Sequence, residues 1–309
     1  MQLFSANLLA LAVSLASASV QLAIYLATDS MTSYASSITT VWKWAYDPVV
    51  APVSVSGTST AVVNGMYNGG HATRTSVIPK NNPNLLVVLH GSNANLDMPS
   101  QDVKTARAAV KVFNMTAVPS SGYNYVSQGW NAGYGLRNEV SLTFYGNNMA
   151  YKTVQTTCPR VVNGQSTDIH IDNPAEELNY FGNISAPDTK WYGYPVCFTL
   201  VQAPNAAFND DTCKAQSSPP RLSYQAHSAP LDAEFMPGSN KLFVTFHGSW
   251  DRKPPMGYKL VWIPFCIIAA GPYEPVAPAS SNTGHTDILK NPNQTNCAAG
   301  CFRTVGTAV

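Results

Sequence analysis

Two stretches of the chain repeat one pattern. LLVVLHGSNANLD runs from Leu85 to Asp97, and KLFVTFHGSWDRK runs from Lys241 to Lys253, about 150 residues later. Each is a short apolar run that stops in His-Gly-Ser. Such a run, closed by a glycine turn, reads as a β-strand. Its return with the same turn favours folds in which one strand–turn unit recurs. Similar runs occur elsewhere: TTVWKWAY, VSLTFYG and YKLVWIPF. KLFVTFHG and GYKLVWIPF read as adjacent strands of one antiparallel sheet with a longer loop between them. Strand units that recur without helices point to an all-β repeat architecture, a propeller or a sandwich. The repeated His-Gly-Ser favours the propeller, whose equivalent strands carry equivalent residues to one rim.

Composition agrees. The 309 residues include 20 glycines and 22 prolines spread along the chain, which suits short strands and turns better than long helices. One stretch, DVKTARAAVKVF from Asp102 to Phe113, reads either as a helix turn or two or as a strand near its end. The 45% apolar fraction is enough for a large core, and the 11% charged fraction leaves the surface to neutral polar residues. A net charge of +1 gives no electrostatic case for nucleic acid or an acidic membrane.

Residues 1–18, MQLFSANLLALAVSLASA, read as a secretory signal peptide: an apolar run ending in the small residues Ala16-Ser17-Ala18. The run is too short to span a bilayer comfortably, so no stable membrane insertion is expected. Export makes the six cysteines interpretable. The sequence-local pairs Cys197–Cys213 and Cys297–Cys301 are expected to form disulfides. Asn114, Asn183 and Asn293 each open an Asn-x-Ser/Thr glycosylation acceptor.

LLVVLHGS also resembles the strand and His-Gly turn that supply an oxyanion hole in α/β-hydrolases. Those enzymes need a Gly-x-Ser-x-Gly elbow, and the nearest stretch, Gly57 to Ala61, lacks the last glycine and precedes the strand.

Three clusters carry chemistry. In NGGHATRT, His71 follows two glycines, a placement that leaves an imidazole free to act as a base near neutral pH, although a loop histidine looks the same. In YGLRNEVSLTF, Arg137 and Asn138 enter an apolar strand, where a guanidinium needs an anion or exposure. DIHIDNPAEELNYFG gathers Asp168, Asp172, Glu176 and Glu177, a set that suits calcium without matching an EF-hand and that equally describes a solvated acidic loop.

As an ordered set, GGHATRT, GLRNEV, STDIHIDNPAEELNYFG, YGYPVCF, NDDTC, PPRLSYQAHSAPLD, LFVTFHGSWDRKPPMGYKL, TDIL and CFRTVG resemble the secreted fungal pyrroloquinoline-quinone-dependent pyranose dehydrogenases, relatives of sorbosone dehydrogenase. The resemblance runs from about Tyr34 to the end of the chain. It implies a six-bladed β-propeller holding the quinone and a calcium ion at its axis, and an extracellular enzyme that oxidises a pyranose hydroxyl by hydride transfer to the quinone. His71 would take the substrate proton. Arg137 and Asn138 would hold the reacting carbonyl side of the quinone. His227, His247, Arg252 and Arg303 would line the cofactor and grip its carboxylates. The main-chain carbonyl of Val154 would reach the calcium. An external electron acceptor, a cytochrome domain or a redox partner, would reoxidise the cofactor.

The pattern is broken in places. The resemblance implies a longer chain, with a first blade ahead of SYASSITTVWKWAYD and further strands after CFRTVGTAV. Residues 19–309 are therefore expected to be a partial propeller domain, and inactivity of this shortened form is part of that expectation. A family loop is missing between CFTLVQ and APNAAFNDDTC. YKTVQTTCPR, Tyr151 to Arg160, stands where calcium ligands are expected. Back-translated one nucleotide earlier, it nearly restores the family's string, as a local frameshift or a mis-set exon edge would; Cys158 would then be an unpaired accident. Two other readings stay open: a non-catalytic carbohydrate-binding propeller remnant, and a calcium-dependent propeller lactonase that needs no quinone.

Overall fold

The computed structural model describes residues 23–27, 32–47, 54–145, 149–155, 160–162, 165–167, 176–197, 210–267, 273–297 and 300–307. The expected leader, the residues 168–175 of the acidic loop and Cys158 lie outside these. The described residues are almost entirely β, with one α-helix, α1 (Asp210–Gln216).

Four antiparallel sheets follow one another along the chain. The first holds β1 (Ala23–Ala27), β2 (Thr32–Ser36), β3 (Val41–Asp47) and β4 (Ser54–Asn64). The second begins with β5 (Ser76–Val77), β6 (Leu85–His90) and β7 (Ala109–Asn114). The chain then lays β8 (Tyr123–Asn124) parallel to the edge of β4 and completes the second sheet with β9 (Trp130–Tyr134). The third sheet starts with β10 (Asn138–Tyr145) and β11 (Met149–Gln155). After a small hairpin, β12 (Arg160–Val162) and β13 (Gln165–Thr167), it closes with β14 (Glu176–Asn183) and β15 (Leu222–Tyr224). The fourth has β16 (Pro230–Phe235), β17 (Lys241–Phe246) and β18 (Lys259–Ile267), whose outer edge is shared by β19 (Tyr273–Pro275) and β20 (Thr286–Lys290).

The two repeated stretches are thus β6 and β17, each the second strand of its sheet. Their different apolar patterns have a packing cause. In β6 all six residues are buried. Leu85, Val87 and Leu89 join the core shared with Leu142 and Phe181 of the third sheet, while Leu86 and Val88 join the core shared with Val41 and Val62 of the first. A strand covered on both faces reads as a continuous apolar run. In β17 only Leu242, Val244 and Phe246 enter the core, with Val261 and Ile263 of β18. On the other face Lys241 lies over the Trp262 ring, 4.3 Å away, and the Thr245 hydroxyl donates to Val305 O at 2.8 Å. Hence the alternation.

Neighbouring sheets meet through β2, β5, β10 and β16, the last three being the first strands of their sheets. The Ser36 and Ser76 hydroxyls bond to each other. Thr75 Oγ1 donates to Val140 O at 2.8 Å. Ser141 Oγ lies 3.0 Å from Asp232 Oδ1, and Thr143 Oγ1 lies 3.4 Å from Glu234 Oε2. The partner numbers rise together, so β10 and β16 run in the same direction. Residues 304–307 continue the series: Thr304 bonds Phe246 O, Val305 O accepts from Thr245, and Thr307 N donates to Asp232 Oδ2. The starts of these segments therefore lie at one rim. Sheets arranged this way, with equivalent inner strands aligned, make a propeller-type architecture.

The ambiguous Asp102–Phe113 stretch resolves into a 3₁₀ turn at Val103–Thr105 and then β7. Ala106 and Ala108 take positive φ, 52° and 50°, which no helix allows. β11 includes Tyr151–Gln155 of the segment read as out of frame; a ladder is made by backbone groups, so its pairing with β10 and β14 does not require the family's side chains.

Both expected disulfides are present, Cys197–Cys213 and Cys297–Cys301. Cys266 is a free, exposed thiol. Cys197–Cys213 spans 16 residues and ties the buried turn at Tyr194–Cys197 to α1. Replacing both of its cysteines with serine is expected to lower unfolding stability by about 3 kcal/mol, measured by urea titration, and the four-residue Cys297–Cys301 loop by about 2 kcal/mol. Equal losses for the two pairs would contradict the loop-length account. Asn114, Asn183 and Asn293 are all exposed. No helix among the described residues is long and apolar enough to cross a membrane.

Candidate active site

The rim described above collects the polar residues that the sequence pattern singles out. His71 lies in the turn leading to β5. Arg137 and Asn138 stand at the start of β10. His227 precedes β16, and Arg303 precedes the 304–307 segment. Second strands run the opposite way and end at the same rim. That places His90 at the end of β6 and His247 just after β17, and β11 ends there with Val154 opposite Glu139 and Gln155 opposite Asn138. So the repeated His-Gly-Ser has a positional cause, since the end of a second strand delivers it to the rim.

Both serines of the repeat grip a histidine loop. Ser92 O accepts from His71 N at 2.9 Å. Ser249 Oγ donates to His227 O at 2.8 Å. Space is tight enough to demand the glycine between. A Cβ on Gly91 would lie 2.7 Å from His71 Cβ, and one on Gly248 would lie 2.4 Å from the Tyr258 ring.

His71 is half-buried, and its protonation state follows from its neighbours. Nδ1 lies 2.9 Å from Ser92 Oγ and 3.1 Å from Ser92 O. The Ser92 hydroxyl proton goes to Ala94 O at 2.8 Å, so both oxygens facing Nδ1 are acceptors. Nδ1 therefore carries the hydrogen, and Nε2 keeps its lone pair. Burial, with Arg137 and then Arg74 nearby, pushes this imidazole down to about 4. At neutral pH it is an uncharged ring with a fixed tautomer. Beneath it, the buried Arg74 guanidinium donates to His71 O, Thr73 O and Tyr67 O, at 2.6, 2.9 and 2.6 Å, and fixes the turn. His90, one turn away, is fully buried with Nδ1 2.7 Å from Gly91 O and Nε2 3.2 Å from Tyr67 O, which is a structural placement.

Arg137 is also buried. Its Nε and Nη2 donate to Asn95 O and Oδ1 at 3.2 and 2.5 Å. This ties the start of β10 to the loop Asn93–Asp97, which sequence reasoning missed. That loop is held from several sides. Tyr194 OH accepts from Asp97 N at 2.7 Å and donates to Ala94 O at 3.0 Å. Asp97 accepts from Asn93 N and pairs with Arg107 at 3.1 Å. The only prior signal was the polar composition of SNANLD, because its anchors are distant in sequence.

On the other side of the rim, buried His227 has a left-handed backbone, φ 61°, and its Nδ1 lies 3.1 Å from Asp251 Oδ1. A non-glycine residue held there is strained, a common mark of functional positions. His247 Nδ1 is 3.3 Å from Thr304 O. Burial, with Arg303 nearby, holds its imidazole below the usual histidine range. Arg303 lies over the Tyr258 ring at 4.8 Å and donates to His247 O and Gly248 O at 3.3 and 3.2 Å. It is exposed, and it meets carbonyls and a hydroxyl but no carboxylate among the described residues. Arg252 is buried and donates to Pro254 O at 2.6 Å. Glu176 and Glu177 are buried at the start of β14, so they are not part of a solvated loop. No three His, Cys, Asp or Glu side chains converge on a cation position among the described residues.

A family model described as TrAA12-like matches residues 9–309. The chain belongs to this family. The chain is 38% identical over 298 residues to a pyrroloquinoline quinone-dependent pyranose dehydrogenase of Coprinopsis cinerea; the match takes in 88% of this chain and 41% of that protein. It therefore spans less than half the length of that curated relative. The structure superimposes on the holo form of the pyranose dehydrogenase PQQ domain from Coprinopsis cinerea with a TM-score of 0.85 and 35% identity, over 92% of this chain and 75% of that one. A calcium structure of the Trichoderma reesei carbohydrate-active enzyme family AA12 gives a TM-score of 0.83 and 30% identity, over 92% of this chain and 74% of that one. TrAA12-like membership agrees with the motif resemblance, and the named relatives are quinone-dependent sugar oxidoreductases.

Proposed function

We propose that this chain is the quinoprotein domain of an extracellular sugar dehydrogenase, a six-bladed propeller in its complete form, that oxidises a pyranose hydroxyl with pyrroloquinoline quinone as the hydride acceptor. The observation that carries the reading is the rim itself. It sets a neutral histidine with a free Nε2 lone pair at the same level as an exposed guanidinium that has no carboxylate partner among the described residues. The first suits removal of a hydroxyl proton, and the second suits an anionic planar ligand. The relatives' printed names supply the matching chemistry.

The donor set fits the quinone. The cofactor is a flat tricarboxylate, and Arg303, seated on the Tyr258 face and cross-linked to three loop carbonyls, is a pre-oriented carboxylate clamp. His247 adds a second donor beside it. Across the rim, Asn138 and His71 lie against the same glycine, since a Cβ on Gly91 would stand 3.4 Å from Asn138 Oδ1 and 2.7 Å from His71 Cβ, and Arg137 is the residue before Asn138. When bound, the quinone supplies the two-electron acceptor that the side chains lack. The chain's own work is to orient and to move one proton. Ser92 holds His71 Nδ1–H, so Nε2 accepts the hydroxyl proton, and Arg74 keeps the turn from shifting as charge appears on the ring. Arg252, buried in the loop after His247, is assigned to the cofactor's carboxylates as well. The described side chains offer calcium no carboxylate cage, so the ion is assigned only the rim carbonyl of Val154, as a backbone ligand. The leader, the three exposed glycosylation acceptors and the two disulfides support secretion. A sugar and an external electron acceptor are the partners.

The test is reconstitution. A repaired full-length form, refolded with the quinone and calcium, is mixed anaerobically with a pyranose, and the quinone absorbance is followed. Sugar-driven reduction supports the proposal. Quinone binding without reduction favours the carbohydrate-binding remnant, and hydrolysis of a sugar lactone with calcium alone favours the lactonase.

A further inference from the structure

We propose that Tyr67 is a stacking platform for the pyranose ring, set on the turn that carries His71; this rests on the sugar-dehydrogenase reading above. Tyr67 is 45% exposed, yet its ring is fixed. The Arg107 guanidinium lies 5.3 Å from the ring centroid. Along the ring edge, Gly69 is packed so closely that a Cβ there would stand 2.7 Å from Tyr67 Cε1. The Tyr67 carbonyl is bonded by Arg74 and faces His90. Backbone and ring are therefore both held, and nearly half the residue still faces solvent.

Arg107 is itself an expensive placement. It pairs with Asp97, 3.1 Å away, and its side chain is mostly buried. Its Nε has no hydrogen-bond partner. The alanines on either side, Ala106 and Ala108, both take left-handed backbone. Two strained residues and an unsatisfied donor serve to press one cation against the ring of Tyr67. Strain of this kind marks a position whose geometry matters. An aromatic face immobilised in advance loses little entropy on stacking. The Asp97 loop also exposes Leu96 and Met98, 44% and 45%. These apolar neighbours suit the C–H face of a neutral pyranose and offer nothing to a carboxylate. Because Arg74 bonds both Tyr67 O and His71 O, each at 2.6 Å, platform and base move as one unit. A sugar stacked on Tyr67 would be presented to His71 at a fixed offset.

The experiment uses the quinone-loaded, repaired full-length form with D-glucose, D-galactose and D-xylose as probes. Tyr67→Ala is expected to raise KM about tenfold, with kcat within about twofold, for the best of these sugars. Tyr67→Phe, which keeps the ring, is expected to restore the wild-type KM. Arg107→Met, which frees the ring without deleting it, should raise KM by less than Tyr67→Ala does. Quinone affinity, measured by calorimetry, should be unchanged in Tyr67→Ala, which also shows that the variant is folded. Saturation-transfer NMR should show the sugar C–H protons contacting wild-type protein more strongly than Tyr67→Ala. If wild type oxidises a sugar and Tyr67→Ala does so with the same KM, the platform is wrong and the function stands. If wild type binds the quinone but neither binds nor oxidises any of the three sugars, the function falls and takes the platform with it.

Discussion

Replacing His71 with alanine in a quinone-loaded, repaired full-length form is expected to lower turnover by roughly a hundredfold or more, the usual contribution of a positioned general base. Quinone affinity should stay near the wild-type value, because the carboxylate contacts are assigned to other residues. The pH profile gives an independent reading. Burial and two neighbouring guanidiniums bring His71 down to about 4, so the folded protein holds the ring neutral where an unfolded chain would begin to protonate it. The base form is then present throughout the neutral range and is lost only as pH falls toward 4. The acidic limb of kcat/KM should sit well below the ordinary histidine value near 6.5. Stability has the same sign: His71, His90 and His285 are all pushed down to about 4. Between pH 6.5 and 4 the unfolded chain binds more protons than the folded one, and melting temperature should fall as pH falls through that window. Unchanged turnover in His71→Ala would remove this residue from the mechanism.

The second large effect is expected at Gly70. Its backbone has φ 62°, and a Cβ there would lie 2.3 Å from Asn93 Cα, Asn93 C and Ser92 O. All three are backbone atoms, and none can swing aside as a flexible side chain would. Gly70→Ala should therefore cost about 3 kcal/mol of unfolding stability and disturb the His71 N to Ser92 O bond that seats the base. Gly238 is the control. Its φ is 72°, but a Cβ there meets nothing within 4 Å. Gly238→Ala should cost only the left-handed backbone term, about 1 kcal/mol. Urea titration of the two variants measures the difference, and equal losses would show that the close approach at Gly70 is not what constrains the turn.

Much of the architecture was open to reading because it rests on local pattern. β6 and β17 announce themselves by apolar runs closed with His-Gly-Ser, and β18 follows β17 across a single loop. The two disulfides join cysteines near in sequence, where loop closure costs least. The Asp102–Phe113 stretch was ambiguous for a tertiary reason: Ala106 and Ala108 have good helix propensity, but the fold bends them left-handed to deliver Arg107 to Asp97 and Tyr67. The rim is the least legible part. His71, Arg137 and Asn138, His227 and Arg303 come to one level only because β10 and β16 align through pairs 91 residues apart, Ser141 with Asp232 and Thr143 with Glu234. No local periodicity encodes such a register. The motif resemblance pointed to those residues, and the strand alignment gives the physical reason that they can act together. It also adds Tyr67, which no motif had singled out, and shows Asn95 and Tyr194 as supports of Arg137.

The central claim is that the His71–Arg137 side and the His247–Arg303 side of the rim are two walls of one quinone site. The most direct measurement is calorimetric titration of the calcium-loaded chain with pyrroloquinoline quinone, in the wild type, in Arg303→Ala and in His71→Ala. The account predicts stoichiometric binding to wild type, affinity weakened at least tenfold in Arg303→Ala through loss of a charge-assisted contact, and affinity nearly unchanged in His71→Ala. Binding that is absent in wild type, or equally tight without the Arg303 guanidinium, would contradict it.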